Sequence, residues 1–297
     1  MSEEVKEYER FINQETGEFF DIYDGDRLVI TRHNQKEAIQ KSLHTKQLNK
    51  ELKQWGDELG GFVFVLFKYC NNLLEQHQEI IPEDITKLFY LATYVDYNGT
   101  LIYDNHCMTR SEMQKLLKMS REKFGQFFNK MKKIGIFSQN TNKNININKE
   151  YFSKGEIDKE IKKYYNYTKV YINTIRYLYE HVPQRNQGQL GKYFKMIPYI
   201  HRQQNVLSWN PEGLINEIKF MTLKELKEIL GYHKNSVKGF MNELLETRLE
   251  NGEAIVGFFI TNVDFWKSVV IINPKVIYGG NFDLPEGKDS IIKWFSK

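Results

Sequence analysis

A chain of 297 residues with 41% hydrophobic and 27% charged residues, rich in Phe (20) and Tyr (18) and poor in Pro (6), falls in the globular range. Its aromatic content excludes a disordered chain, and its length accommodates two ordinary domains. The formal net charge of +4 is mildly basic, so local charge must decide whether a polyanion is bound. Two cysteines, Cys70 and Cys107, make neither a disulfide framework nor a zinc pattern.

The start, "MSEEVKEYERF", is polar and acidic and reads as no secretory signal. "GEFFDIY", Asp24-Gly25 and "DRLVIT" predict a β-hairpin, because Asp-Gly supplies the positive φ angles of a tight turn. A helix is expected from Asn34 to Trp55, with Asn34 as cap and Glu37 three residues on. "GGFVFVLFKYC" (Gly60–Cys70) is the most apolar run. Lys68 breaks it and it is too short to cross a bilayer, so it reads as a buried strand. A cytoplasmic protein without a membrane partner is therefore expected.

"PEDITKLFYLATYV" (Pro82–Val95) predicts a helix with Pro in its first turn, and Ile85, Leu88, Phe89, Ala92 and Val95 facing a core. "NGTLIY" reads as a turn and a short strand. "MTRSEMQKLLKMSREKFGQFFNKMKK" (Met108–Lys133) reads as two helices with a break at "KMS". Thr109 and Glu112 have the spacing of a capping box, and Ser120 can cap the second helix. Met113, Leu116 and Leu117 face inward, as do Phe124, Phe127 or Phe128, Met131 and Ile134. "IGIFSQNTNKNININK" predicts two strands around a polar loop at Asn140–Asn144. "EIDKEIKKYYNYTKVYINTIRYLYEHV" predicts a helix that passes into a strand near "KVYIN" and resumes as a helix, with a domain boundary at 155/156.

The second half then repeats the first. "LGKYFKMIPYI" (Leu190–Ile200) falls on "ITKLFYLATYV" when 105 is subtracted, and Val206 falls on Leu101 with the same offset. "MTLKELKEILGYHKNSVKGFMNELLE" begins 113 residues after its counterpart (221 minus 108). Thr222 and Glu225 repeat the capping box, Gly231 suits the left-handed residue that ends a helix, and Leu226, Ile229 and Leu230 face inward. "INPKVIYGG" falls on "INKEYFSKG" at 125 (273 minus 148). The growing offsets are assigned to "NPEGLINEIK" and "ENGEAIVGFFITNVD".

Each half therefore reads helix, short strand, helix, turn, helix, strand, loop, strand. The expected fold is α+β, mainly α, with two tandem winged helix-turn-helix domains (1–155 and 156–297) joined by a helical linker. A recognition helix needs one apolar face and one face of long donors and amides for base edges and phosphates. In the first copy that outer face carries Arg121, Lys123, Gln126, Asn129, Lys130 and Lys133; in the second, Lys234, Asn235, Ser236, Lys238 and Asn242. The loops "QNTNKN", with Lys143, and "LENGEA" are candidate wings, the second being acidic at Glu250 and Glu253.

Catalytic motifs fail residue by residue. "GKDS" at Gly287 has Phe282 where a phosphate-binding loop needs its first Gly, and Asp289 where it needs Ser or Thr. HExxH is missing, the seven His are scattered, and "HVPQR" lacks the His-x-x-Arg spacing of tyrosine recombinases. No enzyme activity, metal or cofactor is expected.

"NQETGEFFDI", "GFVFVLFKYCNNLLE", the helix pair and the close "ININKEYFSKG" resemble RepL-type plasmid replication proteins of low-GC bacteria. Lys149 stands where those have Pro, while the second half keeps "INPKVIYGG". The tandem arrangement is similar to iteron-binding plasmid initiators. The resemblance implies a mobile-element origin and a non-catalytic replication initiator that binds double-stranded DNA at an origin. Host replication proteins are possible partners, and a homodimer is left open. A transcriptional regulator on the same scaffold and a protein-interaction module are the alternatives.

Overall fold

The computed structural model describes residues 8–12, 19–23, 42–43, 46, 50, 53–66, 77, 79–155, 167–202, 204–232, 242, 244–259, 267–279 and 295. The chain divides into two compact units, Met1–Lys46 and Gln47–Lys297. In the first, β1 (Tyr8–Ile12) pairs antiparallel with β2 (Phe19–Tyr23), Tyr8 opposite Tyr23 and Ile12 opposite Phe19. The expected strand at Phe19–Tyr23 forms, but its described partner lies before it in the chain. Glu9 and Arg10 interrupt the β-forming Tyr8, Phe11 and Ile12 and hide that partner from a pattern search. The expected strand Asp26–Thr31 and the helix start at Asn34 lie outside the described residues.

The second unit is mixed α+β. Its centre is a four-stranded antiparallel sheet in the order β12-β9-β3-β8, with β3 Phe62–Leu66, β8 Phe152–Ser153, β9 Tyr167–Tyr171 and β12 Ile277–Tyr278. β3 is the expected apolar strand, with Val63 to Leu66 all buried. The two middle strands occupy the same place in their repeats, 105 positions apart (167 minus 62). Phe62 pairs with Tyr171, Phe64 with Lys169 and Leu66 with Tyr167. Exchanging the two strands maps this register onto itself, so a local two-fold axis passes between Phe64 and Lys169. The outer strands obey the same axis. Phe64 pairs with Ser153 as Lys169 pairs with Tyr278, and Val65 pairs with Phe152 as Val170 pairs with Ile277.

Two helices cross at this axis. α1 (Pro82–Ala92) buries Ile85, Leu88, Phe89 and Ala92 as its periodicity predicts. Later in the chain, α4 (Ile172–His181) continues directly from β9, and α5 (Gln187–Phe194) packs on α1. Equivalent rings meet: Phe89 stacks on Phe194 with centroids 4.1 Å apart and planes 2° from parallel. Equivalent positions also meet in reciprocal pairs. The Thr86 hydroxyl donates to the Gln187 carbonyl at 2.7 Å. In the mirrored contact Gly191 lies against Pro82, so close that a Cβ there would sit 1.8 Å from the Pro82 carbonyl oxygen. Val65, Phe89, Val170 and Phe194 belong to one continuous core that takes residues from both repeats. The 155/156 boundary and the first part of the expected linker helix, residues 156–166, lie outside the described residues; the strand and resumed helix that follow are β9 and α4.

Of the remaining elements, the capped helix and the hairpin are described in both repeats, in the same order. β4 (Ile102–Tyr103) and β5 (His106–Cys107) lead to α2 (Arg110–Leu116), α3 (Arg121–Lys133) and the hairpin β6 (Phe137–Gln139) with β7 (Ile145–Ile147). In the second repeat α6 (Leu223–Ile229) is followed, beyond residues 233–241 that lie outside the description, by the hairpin β10 (Val256–Phe259) with β11 (Val269–Ile272). The hydrogen bonds fix the true register. Leu101 donates its N–H to Ile145 O and Leu207 to Val270 O, both at 2.9 Å. Gly99 and Asn205, both left-handed with φ 85° and 52°, accept from Ile147 and Ile272. Leu207, not Val206, is therefore the counterpart of Leu101. One extra residue in the turn after the second copy's helix shifts the frame, and adjacent apolar residues conceal the shift in sequence.

"LENGEA" is also reassigned. Arg248 bridges Ala254, and Leu249 N–H donates to Glu253 O, so this is a tight turn that precedes the second hairpin. The loop equivalent to Asn140–Asn144 joins β10 to β11 instead, and most of it (260–266) lies outside the described residues. Among the described residues no helix is long and apolar enough to cross a membrane.

Candidate nucleic-acid interface

The first helix pair starts from a cap. Thr109 Oγ1 accepts the Glu112 N–H at 3.2 Å, and Glu112 Oε2 accepts the Thr109 N–H and hydroxyl at 2.8 Å each. His106 Nε2 lies 2.8 Å from the other Glu112 oxygen. These donors, the Thr109 backbone N–H first, hold the Glu112 carboxyl at about 2; in return Glu112 raises the His106 pKa. α2 ends through Leu117 and Lys118, the latter left-handed at φ 52°, and Ser120 Oγ then caps α3 by accepting the Lys123 N–H at 3.4 Å.

The chain of α3 splits by face. Phe124, Phe127, Phe128 and Met131 are buried, with Phe127 and Phe128 both packed against Phe137 of the hairpin. Arg121, Lys123, Gln126, Asn129 and Lys133 are exposed. Lys130 is set apart from them. Its Nζ lies 2.8 Å from Asp84 Oδ2 and 3.1 Å from the Glu79 carbonyl, which fastens α3 to the start of α1. The Asp84 side chain is only 6% exposed and also faces Lys87 at 3.8 Å. Burial pushes the Lys87 pKa down. Helical spacing alone assigned Lys130 to the outer face; the partner 46 residues earlier turns it inward.

Lys143 is exposed at the tip of the β6–β7 loop, left-handed at φ 63°. Asn140 shapes that tip: its carbonyl accepts the Lys143 N–H, and its Oδ1 accepts the Asn144 N–H, both at 2.9 Å. Two further exposed cations lie beside this face, and of these Arg110 was missed from the sequence. Arg110, the first residue of α2, lies with its guanidinium 4.3 Å from the centre of the Phe128 ring, and Lys132 stands beside Lys133. A basic residue directly after a cap was the available signal for Arg110.

The second repeat reproduces the cap. Thr222 Oγ1 accepts the Glu225 N–H at 3.3 Å, and Glu225 Oε2 accepts the Thr222 N–H at 2.7 Å. Trp209 Nε1 takes the role of His106, donating to the other Glu225 oxygen at 3.1 Å. Gly231 is left-handed, as its place predicts. Of the outer residues, Asn242 is exposed, while Lys234, Asn235, Ser236 and Lys238 lie outside the described residues. The halves differ sharply in charge. Met108–Lys133 holds eight Lys and Arg against two Glu, whereas Met221–Glu246 holds four Lys against four Glu. Among the described residues no group of three or more His, Cys, Asp or Glu could hold a metal ion.

No protein-family model, no curated protein and no solved structure matches this chain. The functional reading therefore rests on the residues and their geometry.

Proposed function

We propose that the chain is a sequence-specific double-stranded DNA-binding protein made of two winged helix-turn-helix modules. In this reading it is a non-catalytic replication initiator of a phage or plasmid. The observation that carries the reading is a capped helix-turn-helix followed by a hairpin in the first repeat, with the same capped first helix and a hairpin in the second, and a local two-fold axis between the central strands of the two repeats. The outer face of α3, with Arg121, Lys123, Gln126, Asn129 and Lys133, is the first reading face, and Arg110, Lys132 and Lys143 supply phosphate contacts beside it. Lys130 is removed from the contact set because Asp84 holds it. A dyad in the protein suits two inverted half-sites about one helical turn apart, roughly 10 bp. Their sequences would be unlike, because the outer faces differ.

The same dyad suits a transcriptional regulator. A site repeated in an array favours initiation, and a single inverted site over a promoter favours regulation. Selection from a random duplex pool tests the common core of both. Arg121→Ala or Lys123→Ala is expected to weaken binding. A lost phosphate contact lowers the salt slope by about one, and a lost base contact relaxes preference at one position. Failure of the wild-type chain to retain any duplex at low salt would sink the reading and favour a protein-interaction module.

A further inference from the structure

The turn of the first helix pair is held by the other repeat. The last carbonyls of a helix have no partner within it and need a donor from elsewhere. At the end of α2 two such donors arrive from the second repeat. The Tyr179 hydroxyl, on α4, donates to the Leu117 carbonyl at 3.2 Å, and Gln184 Nε2 donates to the Lys118 carbonyl at 3.4 Å. Tyr179 is 3% exposed and stacks on Tyr90 of α1 at 3.9 Å, with planes 8° apart. Burial pushes its pKa up to about 12, so the hydroxyl stays a donor at any physiological pH. α4 leaves the central sheet directly from β9, one of the two strands that flank the two-fold axis.

Resting on the DNA-binding reading, we propose that Tyr179, supported by Gln184, is a positioning residue that couples the second repeat to the angle between α2 and α3. The two carbonyls it and Gln184 engage flank the left-handed Lys118, where the chain changes direction between the two helices. On the two-half-site reading, a turn tied to the second repeat sets the angle at which α3 meets its own half-site. The protein then discriminates by half-site spacing as well as by sequence.

Tyr179→Phe keeps the stacked ring and removes only the donor. Gln184 is exposed, so Gln184→Ala is a second variant that leaves the core untouched. Hydrogen exchange on the full-length chain should accelerate about fivefold at residues 117–124 in Tyr179→Phe, the scale of one lost hydrogen bond, with α6 unchanged. In parallel, duplexes carrying the selected site with the halves moved by one base pair should be rejected by the wild type and tolerated better by both variants. Exchange that is unchanged, or faster throughout both repeats, overturns the positioning role. Equal spacing discrimination in wild type and variants overturns it as well. If the wild type retains no duplex, the DNA-binding reading falls, and the exchange pattern still decides whether Tyr179 holds the turn.

Discussion

Replacing Gly191 by Ala tests the crossing of α1 and α5 against the ordinary helix rule. Gly in a helix interior is worth up to about 1 kcal/mol less than Ala, so propensity alone predicts stabilisation. The structure predicts the reverse. The new Cβ would lie 1.8 Å from the Pro82 carbonyl oxygen, which is backbone and cannot swing away. The helices would have to part by about 1.5 Å to restore contact distance, in an interior that is otherwise close-packed. Overpacking of this kind costs about 1–3 kcal/mol. Separation also disturbs the Phe89–Phe194 stack, worth about 1 kcal/mol beyond its burial. With the propensity gain offsetting the disturbed stack, net destabilisation of about 1–3 kcal/mol is expected. Gly125→Ala in α3 is the control: nothing lies within 4 Å of its added Cβ, so it should gain about 0.5–1 kcal/mol. Urea unfolding followed by far-UV circular dichroism measures both. A Gly191→Ala chain as stable as Gly125→Ala would show that the two repeats do not cross as described.

Lys130→Ala should cost about 1–2 kcal/mol, because it strips one partner from a carboxylate that is 6% exposed, while Lys87 at 3.8 Å remains to limit the loss. Its salt slope for duplex binding should equal that of the wild type, whereas Lys133→Ala should lower the slope with little effect on stability; the opposite pattern would return Lys130 to the reading face. The caps carry a pH signature. Glu112 titrates at about 2 against an ordinary 4.5, so its contribution is present above about 4.5 and is lost as pH falls through about 2. His106 has the opposite sign: its raised pKa gives a contribution that is complete below 6.5 and is lost as pH rises through the folded value. Carboxyl and imidazole chemical shifts follow both groups. Thr109→Ala removes the hydroxyl donor and keeps the backbone N–H, so it should move the Glu112 midpoint only part of the way toward 4.5, and an unmoved midpoint would contradict the share assigned to the Thr109 hydroxyl.

Local chemistry was legible in the sequence. Thr109 with Glu112, Thr222 with Glu225, Ser120 and Gly231 announce helix ends because their side chains or φ angles act within a few residues. The stripes of α1, α2 and α3 announce burial because their period is that of the helix. The long-range pairings were hidden. Nothing in "FVFVL" or "YTKVY" says that the two strands pair with each other, since any two apolar strands satisfy the same local rules. Lys130 looks outward on a helical wheel, and only its ion pair with Asp84 turns it inward. "LENGEA" looked like a hairpin tip because turn residues mark a reversal without saying which strands it joins. The one-residue slip at Leu207 passed unnoticed because Val206 is equally apolar.

Fusion of two like units around one axis removes a constraint that binds a symmetric dimer. In a dimer of identical chains, the residue facing Gln187 and the residue facing Pro82 would have to be the same. Here they are Thr86, whose hydroxyl satisfies the Gln187 carbonyl, and Gly191, which admits the Pro82 carbonyl where any side chain would collide. The interface is therefore tuned separately on each side of its axis, and the outer faces follow the same logic. The segment Met108–Lys133 carries eight cations against two acids, and Met221–Glu246 four against four. Phosphate attraction is sequence-independent and scales with the cations brought to the backbone. If both pairs meet DNA, the first should supply most of the salt-dependent affinity, and the second should act chiefly through base contacts and spacing. A chain whose salt slope fell equally on neutralising either pair would lack the division of labour that this asymmetry implies.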